Sequence, residues 1–169
     1  MDNILRISGI VRESIVDGPG LRFVLFTQGC PHRCPGCHNP DTHDFEGGND
    51  ITVERLLEEI DKNPLLQGVT LSGGEPFCQP EALSKLAEEV LKRGLDIISY
   101  SGWTFEELVK MSEERPAVMD LLEKCSLLID GRFEIEKKSL SILFRGSTNQ
   151  RIIDVKASLA EKRPVEKDL

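Results

Sequence analysis

Cys30, Cys34 and Cys37 stand at C-x-x-x-C-x-x-C spacing in the segment Cys30-Pro31-His32-Arg33-Cys34-Pro35-Gly36-Cys37, followed directly by His38-Asn39-Pro40. Three thiolates so placed can hold three irons of a 4Fe–4S cluster and leave the fourth iron without a protein ligand. An open iron is a place to do chemistry, whereas a fully ligated cluster mainly carries electrons. Two other uses compete for the same residues. Zinc takes four tetrahedral ligands, commonly from two separated pairs; here three cysteines share one loop, and His38 follows Cys37 too closely to reach the same ion easily. A fully ligated electron-transfer cluster needs a fourth cysteine, and Cys78 is the candidate. His32 and Arg33 read as solvated loop residues.

A second constellation is Gly73-Gly74-Glu75-Pro76. Alone it reads as a tight turn after a strand. In a site it offers backbone with no side chains in the way. Its carbonyls and the Glu75 carboxylate then accept hydrogen bonds from an ammonium group. Cys125, before Leu127-Leu128-Ile129, reads as a buried core thiol, and Cys78 as a packing residue.

The elements that position these groups alternate. Leu21–Thr27 reads as a strand feeding the cysteine loop. Thr52 caps a helix from Val53 to about Asn63, with Leu56, Leu57 and Ile60 on one face. Val69–Leu71 is a second strand. Pro80 opens a helix with an apolar stripe of Leu83, Leu86, Ala87, Val90 and Leu91, ended by Gly94. Leu95–Tyr100 is a third strand. Thr104 and Glu107 have capping-box spacing for the next helix, and Pro116 interrupts the helical region before Val118–Lys124. Ser126–Ile129 is a fourth strand, Arg151–Val155 a fifth, and Ile4–Ile15 adds an edge strand or hairpin. Alternating strands and helices predict a parallel sheet, with ligands beyond the C-terminal ends of its strands. The candidate groups all follow strand ends: the cysteine loop, Gly73-Gly74-Glu75, Tyr100-Ser101 and Asp130-Gly131-Arg132.

A chain of 169 residues is expected to form a single domain, residues 1–169, with a charged tail that frays from about Ala157. A net charge of -8 argues against a general nucleic-acid surface. No run of about 18 apolar residues suggests a membrane span. Met1-Asp2-Asn3 does not open a signal peptide, so the expected compartment is the reducing cytoplasm, where cysteines serve as metal ligands or core residues.

The cysteine spacing followed by Gly73-Gly74-Glu75 resembles the signature of the radical S-adenosylmethionine enzymes. The stretch from Asp17-Gly18-Pro19-Gly20 through Cys37-His38-Asn39-Pro40 resembles the glycyl-radical-enzyme activases of that superfamily. Leu128–Phe133 and Phe144-Arg145-Gly146-Ser147-Thr148-Asn149-Gln150 resemble the branch that activates the anaerobic (class III) ribonucleoside-triphosphate reductase. Together these matches run from about Asp17 to Gln150. Where the superfamily often has an aromatic residue before the third cysteine, this chain has Gly36, similar to the reductase-activating branch.

The resemblance implies an α/β fold, a partial, open (β/α) TIM-like barrel; a closed barrel usually needs about 250 residues. It implies a 4Fe–4S cluster held by Cys30, Cys34 and Cys37, and S-adenosylmethionine contacted by Asn39, Gly73, Gly74, Glu75, Ser101, Asp130 and Arg132. Arg145 and Asn149 are candidates to meet cofactor or partner. Reductive cleavage of S-adenosylmethionine would then generate a glycyl radical on the large subunit of the anaerobic reductase, with a flavodoxin or ferredoxin as electron donor. No catalytic acid or base is required, because the cofactors carry the chemistry. The alternatives are a small radical enzyme acting on a metabolite, in the manner of a deazapurine carboxylate synthase, and a non-catalytic iron–sulfur or zinc protein.

Overall fold

The computed structural model describes residues 3–37, 40–139 and 141–168. Seven strands form one open mixed sheet in the order β3-β1-β2-β4-β5-β6-β7. They are β1 (Ile4–Ser14), β2 (Arg22–Thr27), β3 (Asn49–Thr52), β4 (Gly68–Gly73), β5 (Asp96–Ser101), β6 (Leu127–Asp130) and β7 (Arg151–Asp154). The helices are α1 (Val53–Asp61), α2 (Pro80–Lys92), α3 (Phe105–Met111), α4 (Pro116–Leu122) and α5 (Val155–Glu161).

The helix starts follow local chemistry. Thr52 Oγ1 accepts from Arg55 N at 3.1 Å at the head of α1. Thr104 and Glu107 close a reciprocal capping box on α3. Proline occupies the first turn of α2 and of α4, where its missing N–H costs nothing.

Four central strands, β2-β4-β5-β6, run parallel, as alternating elements predict. The flanks differ from that expectation. β1 pairs antiparallel with β2, β3 with β1, and β7 with β6. A parallel return needs a long crossover, usually a helix. β1 reaches β2 through a short loop, and among the described residues of 131–150 the one helical element before β7 is a 3₁₀ turn at Ile135–Lys137. β3 takes the edge expected of β1; its sequence, Asn-Asp-Ile-Thr, carries no apolar alternation to announce it. The charged tail is also more ordered than its composition suggests. It forms α5, capped by Asp154 Oδ1 on Ala157 N at 3.0 Å, and then pairs with β7 through Asp154 N→Val165 O and Lys167 N→Ile152 O.

Alternation along the strands sends side chains to two faces. Phe23, Leu25, Val69, Leu71, Ile97 and Leu128 join Leu56, Ile60, Leu83, Leu86, Val118 and Leu121 in one core beneath the helices. Each such buried side chain is worth roughly 1.5–3 kcal/mol of transfer free energy, so this face anchors the sheet. On the other face Ile98, Leu127, Ile129 and Ile152 form a smaller cluster against Tyr100 and Phe144. The register sets Thr27 beside Gly73, and Ser101 beside Asp130. The ends of the four parallel strands therefore share one rim. No described helix is long and apolar enough to cross a membrane.

Candidate functional site

The cysteine loop leaves β2 at Thr27 and is tied down from its first residues. Gly29 N donates to Thr42 O at 2.6 Å, and Cys30 N to His43 O at 3.2 Å. Its far end closes as a turn, with Cys37 N donating to Cys34 O at 3.1 Å. Gly36 makes that turn with φ +73°, and a Cβ there would overlap the Ile135 side chain. Arg33 adopts φ +47°, uncommon for a residue with a Cβ.

Cys30, Cys34 and Cys37 all line one cavity of about 490 Å³. Around it stand Ser72, Gly73 and Gly74 from the end of β4, Tyr100, Ser101 and Gly102 from β5, and Gly131 with Phe144–Gly146 from beyond β6. Cys78 and Cys125 lie outside that lining. Burial pushes the Cys30 and Cys34 thiols above their ordinary range, reinforced for Cys30 by Glu75 and Cys34, and for Cys34 by Cys37. Burial drives Cys78 and Cys125 further, each to about 12.

The wall fits a cluster. Its donors are thiols, the usual ligands of iron–sulfur centres, and a bound metal deprotonates a thiol outright. Among the described residues no three His, Cys, Asp or Glu side chains converge on one ion-sized point. The three thiols share a cavity wall, an arrangement suited to a group that offers each a separate iron. His43 also lines the cavity; its Nε2 is buried and has no hydrogen-bond partner among the described residues.

The glycine pair is explained first by packing. Gly74 N donates to Thr27 O at 3.0 Å and Glu75 N to Gly29 O at 2.8 Å, drawing the end of β4 against the root of the cysteine loop. Gly73 has φ +114°, and a Cβ on it would overlap the Thr27 backbone. The close approach leaves both glycines on the cavity wall with no side chain between backbone and ligand.

Glu75 differs from the sequence expectation. Its side chain is wholly buried and does not line the cavity. Both carboxylate oxygens are already engaged: Phe77 N donates at 3.0 Å, Ser101 Oγ at 2.9 Å, Gly102 N at 2.7 Å and His32 Nε2 at 2.8 Å. An incoming ammonium finds this carboxylate filled. Ser101 stays on the cavity wall, with its hydroxyl spent on Glu75.

Asp130 is likewise 1% exposed and committed inside the protein. It accepts from Phe105 N at 2.7 Å, at the head of α3, and from both Nε and Nη2 of Arg151 at 3.0 and 2.6 Å. That carboxylate, with Glu106 beyond it, holds the Arg151 guanidinium well above its usual range. Its neighbour Gly131 lines the cavity; Asp130 does not. Arg132 is half exposed, donates from Nε to His32 Nδ1 at 3.2 Å, and lies outside the lining. Asn39 falls outside the described residues. Arg145 reaches the cavity, whereas Asn149 donates to Arg132 O at 2.8 Å.

The sequence reading missed two residues of consequence. His32 is no solvated loop residue: its side chain is 4% exposed and lies edge-on to Trp103, with ring centroids 4.7 Å apart. His43 gave no motif signal, since it is brought to Cys30 by backbone pairing across the loop.

Comparison with known proteins agrees with this geometry. Residues 16–153 match the family of 4Fe-4S single cluster domains. The anaerobic ribonucleoside-triphosphate reductase-activating protein of Escherichia coli (strain K12) is 34% identical over 145 residues, covering 80% of this chain and 90% of that protein. Its counterpart in enterobacteria phage T4 is 35% identical over 144 residues, covering 81% of this chain and 86% of that one. The pyruvate formate-lyase-activating enzyme of Clostridium pasteurianum is 39% identical over 117 residues, 64% of this chain but 49% of the enzyme.

Proposed function

Because the chain belongs to the 4Fe-4S single cluster domain family and, with its relatives, to the radical S-adenosylmethionine glycyl-radical activases, we propose that it generates the glycyl radical of an anaerobic ribonucleoside-triphosphate reductase. The observation that carries this reading is one cavity wall that gathers Cys30, Cys34 and Cys37 with the bare backbone of Gly73 and Gly74. A 4Fe–4S cluster and S-adenosylmethionine, when bound, supply the one-electron carbon–sulfur cleavage and the radical that takes hydrogen from a partner's backbone glycine.

The residues divide the remaining work. Cys30, Cys34 and Cys37 hold three irons. The Gly73 and Gly74 carbonyls receive the methionyl ammonium, and Ser101 borders the nucleoside end. Glu75 and Asp130 shape the wall from behind it, and Arg132 reaches the site through His32. Asn39 keeps the cofactor-contacting role that its place after Cys37-His38 suggests. The inner cluster of Ile98, Ile129 and Ile152 packs behind Tyr100 and Phe144, which line the cavity.

The proposal includes a partial, open (β/α) barrel of the radical S-adenosylmethionine type, supported by four parallel strands with helices over one face and the cavity beyond their ends. It takes residues 1–169 as one such domain, since a single sheet draws strands from Ile4 through Asp154. It places the protein in the cytoplasm, with a flavodoxin or ferredoxin supplying the electron.

The test is anaerobic. Protein loaded with iron and sulfide is reduced, and its electron paramagnetic resonance spectrum is recorded with and without S-adenosylmethionine. The purified reductase is then added and its glycyl radical is counted. A cluster signal altered by the cofactor, followed by a reductase radical, is the expected result. A cluster indifferent to the cofactor would return the chain to electron transfer.

A further inference from the structure

The Glu75 carboxylate sits where three strand-end segments meet, and each contributes a donor to it. Phe77 N comes from the turn after β4, Ser101 Oγ and Gly102 N from the end of β5, and His32 Nε2 from inside the cysteine loop. A buried carboxylate needs its lone pairs satisfied or its charge paired. Among the described residues no Lys or Arg pairs with Glu75; the Arg132 guanidinium ends on the other nitrogen of His32. That contact fixes the tautomer. Arg132 has only donors, so His32 Nδ1 accepts, and Nε2 carries the hydrogen given to Glu75.

His32 lies two residues from Cys30 and two from Cys34. Where its ring sits decides how both thiols are presented. The ring is held by Glu75 on one edge, Arg132 on the other and Trp103 alongside. It also lies over Gly102, where any Cβ would collide with it. The cysteine loop is thus joined by one side chain to the wall formed by Ser101 and Gly102.

We propose that Glu75 and His32 are positioning residues that couple the cluster loop to the S-adenosylmethionine wall, so that filling one site sets the geometry of the other. The proposal rests on the cluster-and-cofactor reading above. Neither residue uses its polar atoms on the cofactor. Their effect is to hold two half-sites in register, and thermodynamic coupling of this kind is reciprocal.

Two variants and one exchange measurement test it. His32→Leu removes both ring hydrogen bonds and leaves all three cysteines in place; His32→Gln keeps a donor near the position of Nε2. Each is loaded with iron and sulfide, and S-adenosylmethionine is titrated against the cluster's electron paramagnetic resonance signal. The expected result is unchanged iron content with cofactor affinity weakened about tenfold in His32→Leu, the size of one charge-assisted hydrogen bond, and largely restored in His32→Gln. Wild-type affinity in His32→Leu, or equal loss in both variants, overturns the coupling.

Should His32→Leu fail to load iron, the wild-type protein supplies the reading. Amide exchange at Gly102 is compared before and after cluster loading, without S-adenosylmethionine. Slower exchange after loading supports the clamp, because Gly102 N is bonded to the carboxylate that holds the loop. Unchanged exchange overturns it. A wild-type cluster signal that ignores S-adenosylmethionine would instead defeat the functional reading, and Gly102 exchange would still decide the clamp.

Discussion

Two cavities of similar size lie at opposite ends of the same parallel strands, and their linings differ in chemistry. At the strand starts a cavity of about 570 Å³ is lined by Asp96, Lys124, Cys125, Asp154 and their neighbours. Four of its polar groups are engaged in the fold. Asp96 pairs with the buried Arg22 at 2.5 Å, Lys124 Nζ donates to Ser84 Oγ and Asp120 O, Asp154 caps α5, and Cys125 Sγ lies 3.4 Å from Leu121 O. At the strand ends the cavity is about 490 Å³ and is lined by three cysteines, two bare glycines and His43. The chemistry of the lining, three cysteines beside two bare glycines, is what sets the strand-end cavity apart. Each end also has a buried thiol, Cys30 at the rim and Cys125 at the strand starts, which makes the contrast testable residue by residue.

The largest effect should come from the rim thiols. Replacing Cys34 by Ala removes one of the three proposed iron ligands, and cluster and activation should both be lost. Iron content and the electron paramagnetic resonance signal check this, and full loading of Cys34→Ala would break the contrast at its centre. At the other end, Arg22→Leu should cost about 3 kcal/mol in denaturant unfolding and leave the iron content intact. The guanidinium is wholly buried and serves Thr70 Oγ1, Val69 O, Pro19 O and Asp96 together. Removing it strands those groups.

Gly73→Ala stands between the two. Its φ of +114° and its closeness to the Thr27 backbone predict a loss of about 2 kcal/mol. Because the strained segment is also cavity wall, the cofactor-induced change in the cluster signal should weaken as well. A variant that loses stability alone would make Gly73 a packing glycine only, and would narrow the site to Gly74.

How much of this was legible follows from the range of each interaction. The capping box of Thr104 and Glu107, the Pro80 start and the runs that became β2, β4, β5 and β6 are local, and local pattern found them. The grouping of the three cysteines on one cavity wall is local in the same way. Glu75 and Asp130 were correctly placed at strand ends, but which way a carboxylate turns depends on distant donors. Gly102 and His32 lie 27 and 43 residues from Glu75, and Arg151 lies 21 from Asp130. No spacing rule connects them. β7 was visible as a strand, yet its direction depended on what joins it to β6; the described residues there form a 3₁₀ turn and not a crossover helix, which a loop-like sequence does not declare.

The smallest effect sharpens the contrast by titration. Burial drives the Cys125 thiol from 9.0 to about 12, with no partner to favour the thiolate beyond a modest pull from Lys124. The folded state therefore keeps this proton after the unfolded chain has released it. Above about pH 9 the unfolded state binds fewer protons, so stability falls as pH rises, by up to about 1.4 kcal/mol per pH unit from this group, until the folded thiol itself titrates. Cys125→Ala should cost about 1 kcal/mol at pH 7, through lost packing, and should lack that alkaline slope. Unfolding curves of wild type and variant, measured without cluster, should converge on raising the pH and cross near pH ~10. Cys78, also pushed to about 12, is common to both proteins and drops out of the difference. Parallel curves would mean that Cys125 is better hydrated than its burial implies, and that the strand starts are wet like the rim.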